Sequence, residues 1–450
     1  MRFTLLTIGS RGDVQPLVAL GQGLRRAGHE VRIATFETFR PLVEQAGLVL
    51  APLVGNAKTL TESEDADALV ESGQNIAQHV RAIRAISRKL TQTEGYWESF
   101  SQACRGAEAI IYNYTAPQGY HLAERFKIPG ILVAPTPAVA PTGDFPHPFW
   151  PGEPKLGAIF NRMTHSVCEQ FMWQPFRTMI NQWRLEHLGL PPMSMRGPYS
   201  LMRRSLVLYS CSPSVIPRAS GWGEQVQLTG FWYSDPVRWE PDRRMTDFLK
   251  SGSRPVYIGF GSVGVGNEEA SIQLAREALR LSGQRGIVGV RQPGSVDAAN
   301  DFLPVGDVPY EWLFPKMACV VHHGGAGTTA AAFRDGIPNV VFPHFSDQPF
   351  WGRRIAELGV GPMPIPGKEL TAGRLAAAIT ETLNDPAILQ KAALLGEKIR
   401  PEDGVRKAVE VITWYLGRSQ SRQSEVVNRA KPSWQYGQEQ ELLIEKRRRN

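Results

Sequence analysis

The first thirty-five residues leave few choices of fold. Residues 3–8 are a short apolar run, and Gly9-Ser10-Arg11-Gly12-Asp13 follows as a glycine-punctuated loop. An amphipathic stretch comes next, with Leu17, Leu20 and Leu24 at helical spacing and Gly28 at its end. Pro16 fits the first turn of that helix, where its missing N–H costs little. Residues 31–35 form a second apolar run. Strand, helix, strand in that order requires a right-handed parallel crossover, and parallel sheets are covered by helices on both faces. The chain is therefore read as α/β from its opening.

The same alternation continues. Strand signals fall at 109–112 and 130–134, with a helical periodicity over 66–90 before them. Residues 135–180 are rich in proline and bulky aromatics, a composition that packs a core or lines an apolar cleft. After a proline-bounded linker at 236–241 a second series begins: strands at 255–260, 286–290, 303–306, 319–322 and 339–343, with a helix at 268–281. Two doubly wound domains facing across a cleft are expected, 1–235 and 236–400. A helix at 401–418 is expected to pack back on the first domain, and 419–450 to form a basic, polar, disordered tail.

Composition narrows the class. A chain of 450 residues with 42% hydrophobic and 21% charged residues matches a soluble globular protein, so coiled-coil and disordered readings fall away. No apolar run approaches the ~20 residues of a membrane-spanning helix, and the N-terminal apolar stretch is too short for a signal peptide. Cys104, Cys168, Cys211 and Cys319 lie far apart without a CxxC pair, so a reducing cytoplasm is the expected setting. The net charge of +7 is concentrated in residues 418–450, which carry eight Lys/Arg against four Glu. That tail reads either as a solvated end or as an electrostatic foothold on anionic lipid at a membrane periphery. The body shows no basic stripe, and nucleic-acid binding is not expected.

Four segments carry chemistry. Gly259-Phe260-Gly261-Ser262-Val263-Gly264 follows a strand and matches GxGxxG, but no acidic residue stands at the end of the next strand to hold a ribose. What remains is a backbone that can approach an anion, with the Ser262 hydroxyl as a donor. Val320-Val321-His322-His323-Gly324-Gly325-Ala326-Gly327-Thr328-Thr329 runs from a buried strand through a glycine turn into a helix start, a place for phosphate. It lacks the lysine of a Walker A loop. Adjacent strand residues face opposite ways, so His322 and His323 are not expected to chelate one metal. Asp347 and Gln348, again at a strand's carboxyl end, offer acceptors and an amide donor suited to a polyhydroxylated sugar, with a plain helix cap as the alternative for Asp347. Asp13 holds the equivalent place after the first strand, as a proton acceptor or as an N-cap.

Together these segments resemble the GT-B fold nucleotide-sugar glycosyltransferases, and among them the sterol 3-beta-glucosyltransferase group. The resemblance rests on residues 9–16, 308–315, 322–329 and 345–348, and so spans most of residues 1–415. It implies uridine diphosphate as the nucleotide and glucose as the sugar. It implies that Asp13 is the general base, that Ser10 and Ser262 lie beside the sugar and diphosphate, and that the peptide at Val308 bonds the uracil. His323 matches the phosphate-binding histidine, with His322 beside it. Gly325, Gly327, Thr328 and Thr329 match the phosphate-cradling turn, and Asp347 with Gln348 the pair that holds the glucose hydroxyls. Ala331 and Asp307 stand where plant small-molecule enzymes carry a ribose-binding glutamate and a base-stacking tryptophan, so those contacts do not transfer. The long N-terminal membrane-targeting domains of the fungal enzymes are not expected here.

The implied reaction is an inverting transfer of glucose from UDP-glucose to the hydroxyl of a hydrophobic acceptor such as a sterol, with no metal or other cofactor. Two rivals stand beside it: a natural-product glycosyltransferase using a UDP- or TDP-sugar, and a lipid- or nucleotide-binding module without catalysis.

Overall fold

The computed structural model describes residues 1–56, 76–152, 154–236, 239–261 and 268–430. Seven parallel strands form the first sheet: β1 (Arg2–Leu6), β2 (Glu30–Phe36), β3 (Val49–Leu53), β4 (Ala109–Asn113), β5 (Gly130–Ala134), β6 (Val207–Tyr209) and β7 (Val226–Leu228), in the order β3-β2-β1-β4-β5-β6-β7. Five form the second: β8 (Val256–Gly259), β9 (Gly286–Gly289), β10 (Phe302–Val305), β11 (Cys319–His322) and β12 (Asn339–Val341), in the order β10-β9-β8-β11-β12. All pairings between these strands are parallel. Both sheets are the doubly wound α/β type the opening unit requires.

Six helices matter for the site: α1 (Arg11–Arg26), α2 (Ile76–Thr91), α3 (Gly157–Trp173), α4 (Ala326–Asp335), α5 (Gln348–Leu358) and α6 (Gly404–Ala430). The inward face of α1 buries Val14, Leu17, Leu20 and Leu24 against Phe3, Leu5 and Ile33 of the sheet. Helix α6 leaves the second lobe and seats Val405, Ala408, Ile412 and Leu416 in that same first-lobe core. The approach is close: a Cβ at Gly23 would stand 2.3 Å from Val405. α6 continues to Ala430, beyond the boundary at 418 read from the sequence, and residues 431–450 lie outside the described residues. So do 57–75, on which part of the 66–90 periodicity falls.

The lobes share a core. Phe231 of the first packs against Phe333 and Trp351 of the second at ring separations of 6.5 and 6.3 Å, and the Tyr233 hydroxyl donates to the Ala330 carbonyl at 2.9 Å. These contacts fix the two sheets face to face.

Candidate active site

Each sheet reverses its strand order once, between β1 and β4 in the first and between β8 and β11 in the second. At such a reversal the loops leave the strand ends in opposite directions and open a crevice. The two crevices meet in one cleft of about 2000 Å³, lined from both lobes.

On the first lobe the chain leaves β1 through Gly9, at φ +138°, where a Cβ would lie 2.2 Å from Asp13 Oδ2. Ser10 is the N-cap of α1, and Asp13 is its third residue rather than the cap. Asp13 Oδ2 accepts from the Ser10 N–H at 2.8 Å and the Ser10 hydroxyl at 3.1 Å. The Asp13 carbonyl accepts from Thr7 Oγ1 and Asn113 Nδ2, which ties the turn to β4. Burial raises the Asp13 pKa from 3.8 to about 6; Ser10 opposes the rise, and the carboxylate of Asp347 adds to it. A group that titrates near neutrality is suited to taking a proton in catalysis. Ser10 thus acts on Asp13 directly, its hydroxyl already committed.

Tyr114, one residue past β4, also lines the cleft. Burial, with Asp347 and Asp13 nearby, keeps its phenol protonated far above the usual range. Sequence reading located β4 but did not follow it to this residue. The available signal was its position, at the carboxyl end of a strand beside the order reversal.

On the second lobe the two histidines part company. His322 is buried, its Nδ1 accepting from the Gly324 N–H at 3.1 Å and its Nε2 paired with Asn339 Oδ1 at 3.0 Å. Both ring nitrogens are spent inside the sheet, which removes His322 from the donor-binding set. His323 turns into the cleft. Its ring sits between Gly261 and Gly325, and a Cβ on either would stand 2.6 Å from it. Its Nδ1 is buried without a partner among the described residues, and burial lowers its pKa to about 4. It is a neutral imidazole with one N–H to give.

Gly325 is the N-cap of α4, and Gly325, Ala326, Gly327 and Thr328 line the cleft, presenting the free N–H groups and partial positive charge of a helix start. The space around Gly327 is open, so that residue contributes backbone only. Thr329 is a second correction. It is buried, and both its N–H and its hydroxyl go to the Gly325 carbonyl, at 3.0 and 2.9 Å, so it steadies the turn and does not face a ligand.

Asp347 is reached through Ser346, which holds a left-handed φ of +60° at the cleft wall. Such a conformation in a non-glycine residue stores strain of ~1 kcal/mol or more. Asp347 occupies the N-cap position of α5 without capping it. Its Oδ2 accepts from Trp351 Nε1 at 3.2 Å and, across the lobe boundary, from the buried hydroxyl of Thr136 at 2.6 Å. Trp351 Nε1 also lies 3.2 Å from Thr136 Oγ1, which closes the triangle. Gln348 Oε1 accepts from the N–H groups of His344 and Phe345, leaving its NH₂ as the donor. Val308 lines the cleft after β10, and beside it Asp307 meets Arg11 across the cleft mouth at 3.0 Å. Ser262 lies outside the described residues, as do Val263 and Gly264 of the glycine-rich loop.

The same cleft has an apolar part, a chamber lined by Phe39, Ile83, Phe149, Trp150, Phe171 and Phe176. Among the described residues no three His, Cys, Asp or Glu side chains cluster as a metal site would need.

Comparison with known proteins follows this geometry. Residues 3–141 match the model of the glycosyltransferase family 28 N-terminal domain, and residues 291–406 that of the erythromycin biosynthesis protein CIII-like C-terminal domain. The crystal structure of the glycotransferase of kitacinnamycin superposes with a TM-score of 0.63 at 18% identity, covering 92% of this chain and 99% of that one. The calicheamicin glycosyltransferase CalG4 superposes at 0.61 and 18%, covering 93% and 98%. Two facing Rossmann-like lobes with their switch points turned on one cleft define the GT-B architecture that those glycosyltransferases share. The sterol 3-beta-glucosyltransferase UGT80B1 of Arabidopsis thaliana is 34% identical over 92% of this chain and 68% of its own length. UGT80A2 of the same plant is 36% identical, over 92% and 66%. The sterol 3-beta-glucosyltransferase of Pichia angusta is 35% identical over 91% of this chain, which spans 33% of that protein. The chain belongs to the sterol 3-beta-glucosyltransferase family, and it spans about a third of its fungal members and two thirds of the plant ones.

Proposed function

We propose that this chain is an inverting glucosyltransferase that moves glucose from UDP-glucose to the 3-beta-hydroxyl of a sterol. The observation that carries the reading is the opposition, across one cleft, of a carboxylate poised near neutrality and a helix N-terminus with a buried, unpartnered histidine. The acceptor lies in the apolar chamber with its hydroxyl at Asp13, which takes the hydroxyl proton as the oxygen attacks the anomeric carbon. The bond from that carbon to the diphosphate oxygen breaks, and its electron pair leaves with UDP. The N–H groups at Ala326, Gly327 and Thr328 and the His323 N–H meet the charge that develops. They stand where a cation would otherwise balance it, so no metal is assigned a role and EDTA is expected to leave turnover unchanged. Asp347 and Gln348 hold the glucose hydroxyls, Val308 the base. Four buried, free cysteines suit a reducing cytoplasm.

The test is a product assay with UDP-glucose against sterols, hopanoids and phenols, repeated with TDP-sugars because two superposing structures were solved with thymidine diphosphate or dTDP. Asp13→Ala is expected to lower turnover by ~10²–10⁴-fold while UDP still binds. Unchanged turnover in that variant removes Asp13 from the mechanism. Donor hydrolysis and transfer both absent in the parent chain leave only a binding module.

A further inference from the structure

Helix α3 divides its circumference three ways. Its inner face buries Asn161, Thr164, His165 and Cys168. At its C-terminal end Phe171, 44% exposed, also lines the apolar chamber, so the chamber opens to solvent beside this helix. Its outer face carries exposed apolar side chains near its start: Ile159 is 87% exposed and Met163 46%, and Leu156, the residue that precedes the helix, is 65% exposed. These three follow one another at spacings of three and four residues and share a face. Single exposed apolar residues are ordinary, but three clustered at the start of the helix whose other end lines the chamber form a patch that marks an interaction surface.

Charge decides what fits the patch. Exposed Lys155 and Arg162 flank it. From 151 to 174 the sequence holds two acids, Glu153 and Glu169, and the Glu169 carboxylate is drawn inward onto Arg203. The loop carrying exposed Met195 and Arg196 is fastened to the same helix, Gln174 Nε2 donating to the Met195 carbonyl at 2.9 Å. Apolar side chains flanked by Lys155, Arg162 and Arg196, none of them ion-paired among the described residues, suit the boundary of an anionic bilayer, where the apolar groups enter the acyl edge and the cations meet lipid phosphates. We propose that α3 and the 195–196 loop seat the protein on an anionic phospholipid surface, with the chamber mouth at Phe171 facing the lipid so that the acceptor passes from bilayer to chamber. This places the membrane contact on the first lobe rather than on the basic tail, and it rests on the reading of the chamber as the site of a lipid acceptor.

The experiment sediments the full chain with phosphatidylcholine vesicles, with and without about a third of phosphatidylserine, and compares the double variant Ile159→Glu/Met163→Glu. Both positions are solvent-facing and outside the cleft, and unchanged UDP binding checks that the variant is folded. The parent is expected to pellet with the anionic vesicles, and the variant to lose about tenfold or more of that binding. Sterol presented in vesicles is then glucosylated about tenfold more slowly by the variant, while sterol delivered in cyclodextrin is turned over at the parent rate. A variant that pellets like the parent overturns the proposal. So does a full-length chain with Lys446, Arg447, Arg448 and Arg449 changed to serine that loses all vesicle binding while α3 is intact. A parent that ignores vesicles but forms a dimer by light scattering, dispersed by the double variant, makes the occupant a second copy of this chain and also overturns it. Vesicle binding needs no turnover, so a parent that pellets yet glucosylates no sterol defeats the proposed function and leaves this inference standing.

Discussion

The sharpest quantitative consequence concerns the hydroxyl of Ser10. Asp13 must be ionised to accept a proton, so kcat/KM rises with pH through its pKa, about 6 in the parent protein. Ser10 favours the ionised form through two donors, its N–H and its hydroxyl, both on Oδ2, and the Asn113 side chain adds a smaller contribution. Ser10→Ala keeps the first and removes the second. A hydrogen bond to a charged group contributes ~1.5–3 kcal/mol, and one pKa unit corresponds to about 1.4 kcal/mol. The acidic limb should therefore move up by about one unit or somewhat more, to near pH 7 or above. At pH 7 the parent is about nine-tenths ionised, whereas the variant falls by two- to tenfold and recovers its rate by about pH 8.5. The assay is initial-rate kcat/KM from pH 5 to 9 with both substrates, alongside Ser10→Thr, which retains a hydroxyl and should keep the parent limb. A loss of equal size at every pH, with the limb unmoved, refutes the assignment of Asp13 as the titrating group under Ser10's influence.

Other consequences can be checked independently. Asp347→Asn removes a like charge that raises Asp13, so the acidic limb should shift to lower pH while the KM for UDP-glucose increases; a limb that stays put uncouples the two carboxylates. Thr136→Val deletes the cross-lobe donor to Asp347, and is expected to cost about tenfold in KM for UDP-glucose with UDP binding unchanged, because UDP lacks the sugar proposed to sit on that carboxylate; Thr136→Ser should restore it. Gly325→Ala places a Cβ 2.6 Å from the His323 ring and should weaken UDP itself, measured by calorimetry. Asp13→Asn tests the other side of burial. A carboxyl whose folded pKa is raised to about 6 from 3.8 loses stability as pH climbs between those values, and the deficit is complete at pH 7. The amide avoids it, so the variant should be at least as stable as the parent at pH 7, by up to about 3 kcal/mol, and show no such advantage at pH 3.5.

Much of this was legible in the sequence because glycine, proline and periodicity mark strand ends. The strands read at 130–134 and 319–322 are found at those bounds, and the loops following β1, β11 and β12 carry the expected site. Three strands of the first sheet left no signal. β3 contains Pro52, which an edge strand tolerates and a sequence pattern counts against a strand. β6 and β7 are three residues each, too short for alternation to register. Among site residues, His322 and Thr329 share their motif with the cleft-facing His323 and Thr328, and only the direction of the side chain separates them. Alternation along a strand says that adjacent residues diverge, not which one meets the cleft. Thr136 was invisible for another reason: its importance comes from the opposite lobe, through a carboxylate 211 positions away.

Helix α6 packs residues from the fifth hundred of the chain onto its opening strand and helix. Val405, Ala408 and Ile412 complete a core begun by Phe3, Val14 and Leu17, so on the ribosome that core stays incomplete until residue 412 has been made. At ~5–20 residues per second that wait is on the order of tens of seconds. Through it, an apolar groove beside α1 stays uncovered in the nascent chain, a natural place for a chaperone to hold it.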